Sequence, residues 1–282
     1  MKEWNRKSGA EPLLIKEQDS VCYLAFSALD ETGMVSHSFS TRIGGVSEGK
    51  FSTMNFSFTR GDDPEHVREN YRRMAEVLDV EPEKMVLSYQ THTTNVRVVT
   101  EADAGKGVIR ERDYQDIDGL ITNVPGITLV TFYADCVPLY ILDPVHRAIG
   151  LSHSGWRGTV ARMGRVTLEA MEREYGTDPA DVIACIGPSI CQDCFEVGGE
   201  VAEEFEREFE TDALCYKKSN RKYQLDLWRA NQMVFTDAGV RPENIHTTDI
   251  CTHCNPELLF SHRTVGNERG NLAAFLSLRQ RN

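Results

Sequence analysis

The chain has 282 residues, which is long enough for one large domain with a substantial core. Its formal net charge of −12 and its pI of about 5.2 argue against nucleic acid or an anionic membrane as the main partner. The N-terminal segment lacks the apolar core of a signal peptide, and no apolar run is long enough to span a bilayer. We therefore expect a cytoplasmic protein without a membrane partner.

The first helix is predicted over residues 63–78. Asp63 suits the N-cap position and Pro64 the first helical position. Apolar residues then recur at helical spacing as far as Leu78. This pattern indicates a surface helix that packs one face against the core.

The remaining elements mix helices with adjacent strands. Three further helices are predicted at 163–176, 200–209 and 225–239. Runs of β-branched and aromatic residues predict strands at 95–100, 127–134, 137–143, 147–153, 181–187 and 272–278. Hairpin-connected strands mixed with helices favour an α+β fold. The absence of repeats and of Pro-, Gly- or Ser-rich linkers favours a single domain over residues 1–282.

One predicted hairpin brings a thiol and an imidazole together. Asp143-Pro144-Val145-His146 has the composition of a turn between two apolar strands. A two-residue loop and a four-residue loop centred on this turn both place Cys136 directly opposite His153. Directly opposed residues have Cβ atoms roughly 4.5–5.5 Å apart, which suits a thiolate–imidazole pair or a shared metal ion.

A third ligand is available just before a predicted strand. His92 lies in the stretch Gln-Thr-His that precedes the strand at 95–100. Two histidines and one cysteine make a plausible catalytic zinc set, because three protein ligands leave a fourth position for water. Copper is a chemically reasonable alternative ion for such ligands. Local spacing alone does not require His92 to join the other two residues.

The eight cysteines are expected to be thiols or metal ligands in the cytoplasm. Two Cys-x-x-Cys pairs, Cys191/Cys194 and Cys251/Cys254, could together form a structural zinc site. Their long separation in the sequence and the lack of a short knuckle favour instead free, partly buried thiols.

The chain resembles the laccase-domain family, also labelled polyphenol oxidase or YlmD/YfiH-like purine nucleoside phosphorylase. The matching stretches, in chain order, are HSFSTRIGGVSEGKFSTMNFS, GDDPEHVRENYRRMA, QTHTTNV, DGLIT, YADCVPLYILDP, HSGWRGT, IGPSICQDCFEVGGEV, CTHCNPELLFSHR and the region of Gly270. They run almost from end to end of the sequence. One departure is Ser154, which replaces the usual alanine of His-Ala-Gly-Trp-Arg-Gly and adds a hydroxyl.

The resemblance implies a zinc site formed by His92, Cys136 and His153. It also implies a single-domain sandwich of mixed β-sheets flanked by helices, similar to a toxin deamidase domain built around a Cys–His pair. Family members are associated with phosphorolysis of adenosine, inosine and methylthioadenosine and with adenosine deamination. The expected partners are therefore purine nucleosides and phosphate.

These reactions require an anion site and a carboxylate. Arg42, beside Gly44 and Gly45, and Arg157, near His153, are candidates for phosphate, because arginine suits phosphate recognition. Arg263 is a third candidate. Asn55, within one of the matching stretches, is assigned to substrate binding on the resemblance.

A carboxylate could shuttle the proton during deamination. Asp118 and Asp135 are the candidates, and Asp118 could equally be a turn residue before a glycine. The sequence does not contain the paired motifs of the usual nucleobase deaminases.

Two other functions remain open from the sequence. Cys136 could be a thiolate nucleophile with His153 as its base, in an amide hydrolase acting on peptidoglycan precursors. A copper-dependent phenol oxidase is the second alternative. A four-copper oxidase is excluded, because the chain contains no His-x-His segment.

Overall fold

The computed structural model describes residues 3–9, 12–211, 213–218 and 221–280, which form fifteen strands and seven α-helices. The strands are β1 (Leu13–Gln18), β2 (Val21–Phe26), β3 (Val35–Ser40), β4 (Met85–Leu87), β5 (Val96–Val98), β6 (Gly119–Thr122), β7 (Thr128–Tyr133), β8 (Val137–Asp143), β9 (Ala148–Ser154), β10 (Ile183–Ile186), β11 (Glu196–Val197), β12 (Cys215–Lys217), β13 (Tyr223–Leu225), β14 (Ile245–Thr247) and β15 (Leu272–Leu278). The helices are α1 (Ser27–Asp30), α2 (Pro64–Leu78), α3 (Trp156–Val160), α4 (Met163–Tyr175), α5 (Gly199–Phe209), α6 (Leu227–Asp237) and α7 (His262–Val265).

The strands form two six-stranded sheets and one small sheet. The first sheet has the order β1-β2-β3-β15-β7-β4, and the second has the order β14-β10-β8-β9-β6-β5. Both sheets are mixed, because β4 pairs parallel to β7 while β14 and β5 pair parallel to their neighbours. The third sheet, β11-β13-β12, is antiparallel. The expected α+β class with mixed sheets and flanking helices is confirmed.

Alternating side chains organise the two large sheets into layers. Along β8, Leu139 and Ile141 pack against α4 and α6, whereas Tyr140 and Leu142 pack against the first sheet. The opposite face of the first sheet is covered by α2, whose Tyr71 is fully buried. Side chains of a strand point alternately to its two faces, so β8 must be apolar on both and is buried throughout. The continuous apolar run Val-Pro-Leu-Tyr-Ile-Leu agrees with a strand that is buried on both faces.

The four helices predicted from sequence are present within two residues of their expected bounds. Asp63 caps α2 as predicted, since its side chain accepts a hydrogen bond from the backbone N–H of Glu65. The six predicted strands are also present, although 95–100 is reduced to β5. Within the described part of the chain, no helix is long and apolar enough to cross a membrane.

The hairpin between β8 and β9 differs from the predicted registers. Asp143 remains in β8 and pairs with Ala148, so residues 144–147 form the loop. The carboxylate of Asp143 accepts hydrogen bonds from the backbone N–H groups of Val145 and His146, at 2.9 and 3.0 Å. These local bonds close the turn one residue later on each strand than the sequence suggested.

The direct opposition of Cys136 and His153 is therefore wrong. His153 pairs with Pro138, and Cys136 lies just outside β8 at its entrance. A diagonal neighbour two residues away remains within reach of a long side chain. The two residues consequently stay close, although in a register that differs from the predicted one.

A Cys–His cluster between two clefts

Three residues from separate segments converge at one edge of the sandwich. His92 lies in the loop between β4 and β5, Cys136 lies at the entrance to β8, and His153 lies in β9. One ligand atom from each lies within 4.8 Å of the other two. Cys136 Sγ is 3.9 Å from His92 Nε2, and the two imidazole rings meet edge to face with centroids 4.9 Å apart. The structure thus brings together the three residues that were predicted as metal ligands.

Asp118 positions both histidines of the cluster. Its Oδ1 accepts a hydrogen bond from His153 Nδ1 at 2.8 Å and from the backbone N–H of His92 at 3.1 Å. Its Oδ2 accepts from the N–H groups of Thr91 and Thr93 at 2.9 and 3.0 Å. Asp118 is fully buried, so it does not face either cleft. This arrangement is typical of a carboxylate that orients a ligand and argues against the expected role as a proton shuttle.

The loop that carries His92 has a constrained backbone. His92 itself has a φ of +66°, in the left-handed region that few residues other than glycine adopt. Asp118 compensates for this conformation by accepting three successive backbone N–H groups, from 91 to 93. Gln90 ties the same loop to β7, because its amide both donates to and accepts from the backbone of Phe132, at 2.8 and 2.6 Å. The Gln-Thr-His motif is thereby explained.

Asp135 holds the turn that presents Cys136. Its φ is +91°, and its two carboxylate oxygens accept hydrogen bonds from Thr252 Oγ1 and from the N–H of Arg263, both at 2.6 Å. Its carbonyl accepts from the N–H of Ile190 at 3.0 Å. With both oxygens engaged, Asp135 stabilises a strained turn and is a poor candidate for proton transfer.

The cluster favours a thiolate next to an imidazolium when no metal is present. Burial alone would raise the pKa of Cys136, but the adjacent His153 and His92 lower this pKa to about 6. Burial would likewise lower the pKa of His153, but the Cys136 thiolate and the Asp118 carboxylate raise it to about 9. For Asp118, His153 and the backbone N–H groups outweigh burial and lower the pKa.

Gly155 leaves the space that the cluster needs. A Cβ atom at this position would lie 3.0 Å from His92 Cδ2 and 3.1 Å from Cys136 Sγ. Its neighbour Ser154 directs its hydroxyl away from the cluster, to Thr159 Oγ1 at 2.9 Å and Asn231 Oδ1 at 3.1 Å. The substitution of Ser154 for the usual alanine therefore adds a buried contact to α6 and no polar group in the site.

Two clefts meet at the cluster. The first cleft has a volume of about 460 Å³ and an aromatic wall, and the second has a volume of about 330 Å³. Both volumes fall in the range of about 300–1,000 Å³ that small-molecule sites occupy. The aromatic wall of the first cleft consists of Phe56, Phe58, Tyr89, Phe132 and Tyr133. Arg60, His92, Ala134, Cys136 and Arg269 line both clefts.

Arg269 and Arg60 are functional candidates that the sequence reasoning missed. Arg269 is only 7% exposed, yet it lines both clefts. It donates to the carbonyl of Gly270 at 3.0 Å and to the side chain of Asn271, while its Nε has no hydrogen-bond partner among the described residues. Burial lowers the pKa of Arg269 to about 10. A buried guanidinium with unused donor capacity beside a cleft is suited to an anion.

Arg42 lies outside both clefts. Its guanidinium donates to the carbonyls of Ser52 and Pro256, at 2.8 and 2.9 Å, and stacks on the ring of Phe260. The two glycines beside it serve close packing, since a Cβ atom on Gly45 would lie 2.1 Å from a backbone oxygen. The expectation that Arg42 lies at the cluster is corrected, because these contacts hold it against neighbouring loops.

Asn55 is also a structural residue. It is completely buried, and its amide donates to Ser57 and Asp62 and accepts from the backbone N–H groups of Ser57 and Asn271. The bond to Asn271 connects it to the loop that presents Arg269, so any effect on substrate is indirect.

Arg157 and Arg263 do line the second cleft. Arg157 is exposed and stacks on the ring of Trp156, with 4.2 Å between the guanidinium carbon and the ring centroid. Arg263 donates to the carbonyls of Cys194 and Glu196 at 3.3 and 3.0 Å. Of the two, Arg157 is the freer to reach a ligand in this cleft.

Comparisons with known proteins show the family and agree with the fold. The family model described as multi-copper polyphenol oxidoreductase laccase matches residues 36–279. A purine nucleoside phosphorylase of Bacteroides thetaiotaomicron is 38% identical over 88% of this chain and 93% of its own. Adenosine deaminase RL5, from an unknown prokaryotic organism, is 35% identical over 82% of this chain and 90% of its own. The crystal structure of YlmD from Geobacillus stearothermophilus superimposes with a TM-score of 0.88 at 30% identity, covering 95% of this chain and all of that one. The chain belongs to the multi-copper polyphenol oxidoreductase laccase family.

Proposed function

We propose that this protein is a zinc-dependent purine nucleoside phosphorylase that also deaminates adenosine. Its substrates are adenosine, inosine and methylthioadenosine, which it converts with phosphate to the free base and the corresponding ribose 1-phosphate. The observation that carries the proposal is the position of His92, Cys136 and His153 where two clefts and a buried arginine meet. Relatives named purine nucleoside phosphorylase and adenosine deaminase support it.

The ligand set fits one zinc ion better than several copper ions. One cysteine and two histidines lie within 4.8 Å of one another, and Asp118 fixes His153 with Nδ1 engaged and Nε2 left for a metal. Zinc bound by three ligands supplies Lewis acidity and activates water at neutral pH. The chain has eight histidines and no His-x-His segment, so it does not provide the ligands of a multicopper oxidase, whatever the family is called.

Arg269 and Arg60 bind phosphate in this proposal. Arg269 is held by Gly270 and Asn271 with Nε unused, so it is already oriented before an anion arrives. Arg60 lies on the border of the two clefts, where its one hydrogen bond within the described residues, to Asn267 at 3.3 Å, leaves other donors available. Two guanidinium groups offer the planar donor pairs that phosphate oxygens accept.

The first cleft binds the nucleoside. Its aromatic wall offers Phe58 and Tyr89 as surfaces for a purine ring, and Arg112 stacks on Tyr89 with 4.6 Å between guanidinium carbon and ring centroid. In the reaction a phosphate oxygen bonds to C1′ of the ribose as the bond from C1′ to N9 breaks. The electron pair stays on the departing purine, which takes up a proton from the medium. The arginines align phosphate with C1′, and the Cys–His cluster lies beside the reacting atoms.

Deamination uses the same clefts with water in place of phosphate. Water adds to C6 of adenosine, and ammonia leaves with a proton from that water. Asp118 stays buried and holds His153 in one tautomer, and Asp135 holds the turn of Cys136. Both carboxylates therefore position residues of the cluster and do not contact the purine base.

Product analysis tests the proposal directly. The purified protein, with its metal content measured, is incubated with each nucleoside in the presence and absence of phosphate. Adenine and ribose 1-phosphate from adenosine, formed only with phosphate, are the expected products of phosphorolysis, and inosine is the product of deamination. Copper in place of zinc would correct the metal assignment. No product from any nucleoside in metal-replete protein would contradict the proposed activity.

An amide hydrolase is the second candidate, because Cys136, His153 and Asp118 also have the order of a nucleophile, a base and an orienting carboxylate. Thiol alkylation separates the two candidates. A zinc-bound Cys136 should react slowly until a chelator removes the ion, after which its reactivity should rise through a pH of about 6, where the thiol ionises. Rapid alkylation of Cys136 while zinc is retained would favour the hydrolase.

A further inference from the structure

The two Cys-x-x-Cys pairs meet at a second cluster, remote from each other in sequence but adjacent in the fold. Ligand atoms of Cys191, Cys194, Cys251 and Cys254 all lie within 4.8 Å of one another. Cys194 Sγ and Cys254 Sγ are 3.5 Å apart, and all four residues are free cysteines. The sequence favoured free, partly buried thiols, and the structure adds that the four sulfur atoms lie together, where one ion could join them. The segments meet because Ser189 and Cys251 form an isolated parallel bridge.

We propose that these four cysteines bind a structural zinc ion, distinct from the ion at His92, Cys136 and His153. A tetrahedral site with Zn–S bonds of about 2.3 Å requires sulfur atoms roughly 3.8 Å apart. The cluster is close to this spacing, because its sulfur atoms lie within 4.8 Å of one another and one pair is 3.5 Å apart. Four thiolates fill the coordination shell, so no position is left for substrate. Cys191 and Cys251 are buried, and Cys194 and Cys254 are half-buried, as a closed site requires.

The surroundings are suited to the negative charge of four thiolates around one zinc ion. The backbone N–H of Cys191 donates to Cys251 Sγ at 3.3 Å. Lys7 lies close enough for its ammonium to attract Cys191 and Cys254, and Asp193 holds that ammonium at 3.1 Å. A backbone donor and a nearby cation are the partners that stabilise metal-bound thiolates from outside the first coordination shell.

The proposed ion braces the turn that presents Cys136. Ile190, next to Cys191, donates its N–H to the carbonyl of Asp135 at 3.0 Å. Thr252, next to Cys251, donates its hydroxyl to the Asp135 carboxylate at 2.6 Å. Asp135 has a φ of +91° and precedes Cys136, so its strained conformation depends on the two segments that the ion would join. The second metal thus acts on the active cluster through structure and not through ligation.

Zinc counting on purified protein tests this site. We expect about two zinc ions per chain in the wild-type protein and about one in Cys136→Ala, which removes a ligand of the first cluster only. The double variant Cys194→Ser and Cys254→Ser should also retain about one. Cys215→Ser is the matched control, because Cys215 is buried in β12 outside both clusters. It should keep the wild-type zinc content.

Cobalt substitution provides a readout that survives if the double variant does not fold. Cobalt-loaded Cys136→Ala should show the intense thiolate-to-cobalt charge transfer of a four-sulfur site, and four thiols should become reactive together when the ion is chelated. A metal-free Cys136→Ala protein, or a disulfide between Cys194 and Cys254 in protein isolated without oxygen, would overturn the proposal. If wild-type protein and Cys136→Ala both hold about one ion, the four-cysteine site stands and the metal at the first cluster fails.

Discussion

The two cysteine-containing clusters are built in opposite ways. The first has three potential metal ligands of two kinds, carried by three separate segments, and it borders two clefts. The second has four identical potential ligands from two short motifs, and two of the four are buried. Three ligands leave a position for reacting molecules, whereas four thiolates leave none. The comparison teaches that ligand number and the supporting hydrogen bonds, more than ligand type, separate a catalytic centre from a structural one.

The supporting residues follow the same division. At the first cluster Asp118 fixes the orientation of His153, and Asp135 fixes the backbone turn before Cys136. The side of the cluster that borders the clefts is left open. At the second cluster the backbone supports the sulfur atoms directly, through the N–H of Cys191. Asp135 connects the two clusters. It precedes Cys136 in the chain, and it accepts hydrogen bonds from Ile190 and Thr252, which adjoin cysteines of the second cluster.

The largest expected effect is the loss of activity in Cys136→Ala. Removing the only thiolate of the first cluster should weaken metal binding and lower kcat/KM by more than about 100-fold, since changes even to outer-shell partners of a metal cost about 10–100-fold. Metal content and kcat/KM with adenosine and phosphate are measured on the same preparation. Full activity in the variant would show that the reaction does not depend on this cluster.

A second prediction compares Asp118 with its neighbour Asp116. Asp118→Asn removes the charged partner of His153 and should weaken metal binding at the first cluster by about 10–100-fold. Asp116 also contacts the loop of His92, through Thr91 Oγ1 at 2.8 Å, but it does not contact His153. Asp116→Asn should therefore stay near wild type in a competitive chelator titration. Equal losses in both variants would mean that the loop, and not the orientation of His153, sets the affinity.

A third prediction contrasts Arg269 with Arg42. Arg269→Met should raise the apparent KM for phosphate by about 10-fold or more, because a hydrogen bond to a charged group contributes about 1.5–3 kcal/mol. Arg42→Ala removes contacts with Ser52 and Pro256 outside the clefts, so it should affect stability and leave the KM for phosphate unchanged. Initial rates at varied phosphate and saturating nucleoside distinguish these outcomes. A phosphate effect confined to Arg42→Ala would reverse the assignment.

The sequence predicted the elements with clear periodicity and caps, and the elements it missed include a strand whose residues are polar yet buried. Strand β3 is an example, since His37, Ser38 and Ser40 are all buried but do not form an apolar run. Its place between β2 and β15 depends on contacts from the far end of the chain. Such long-range pairing leaves no local pattern.

The residues of the candidate site could be predicted where sequence motifs and family resemblance indicated them. The grouping of His92, Cys136 and His153 was predicted from both, although the hairpin register was wrong by one residue on each strand. Arg269 could not be found, because an arginine in a polar loop is usually exposed and only the fold buries this one. The proximity of the two Cys-x-x-Cys pairs was equally hidden, since partners such as Cys194 and Cys254 are separated by 60 residues.

The smallest effect is expected from a single methyl group at the first cluster. Gly155→Ala would place Cβ 3.0 Å from His92 and 3.1 Å from Cys136, so the side chains must shift by a few tenths of an ångström. Gly155 has a φ of −72°, which alanine tolerates, so the effect comes from crowding and not from backbone strain. Crowding of a packed site typically costs about 1–3 kcal/mol, which here should appear as weaker metal binding.

Gly158→Ala is the matched control in the same segment, because its Cβ would meet its nearest neighbour at an ordinary 3.5 Å. Zinc affinity should fall in Gly155→Ala alone, while the four-cysteine cluster keeps its ion in both variants. Similar affinities for the two variants would indicate that the cluster adapts to the added methyl, and that the space at Gly155 does not limit the ligand geometry.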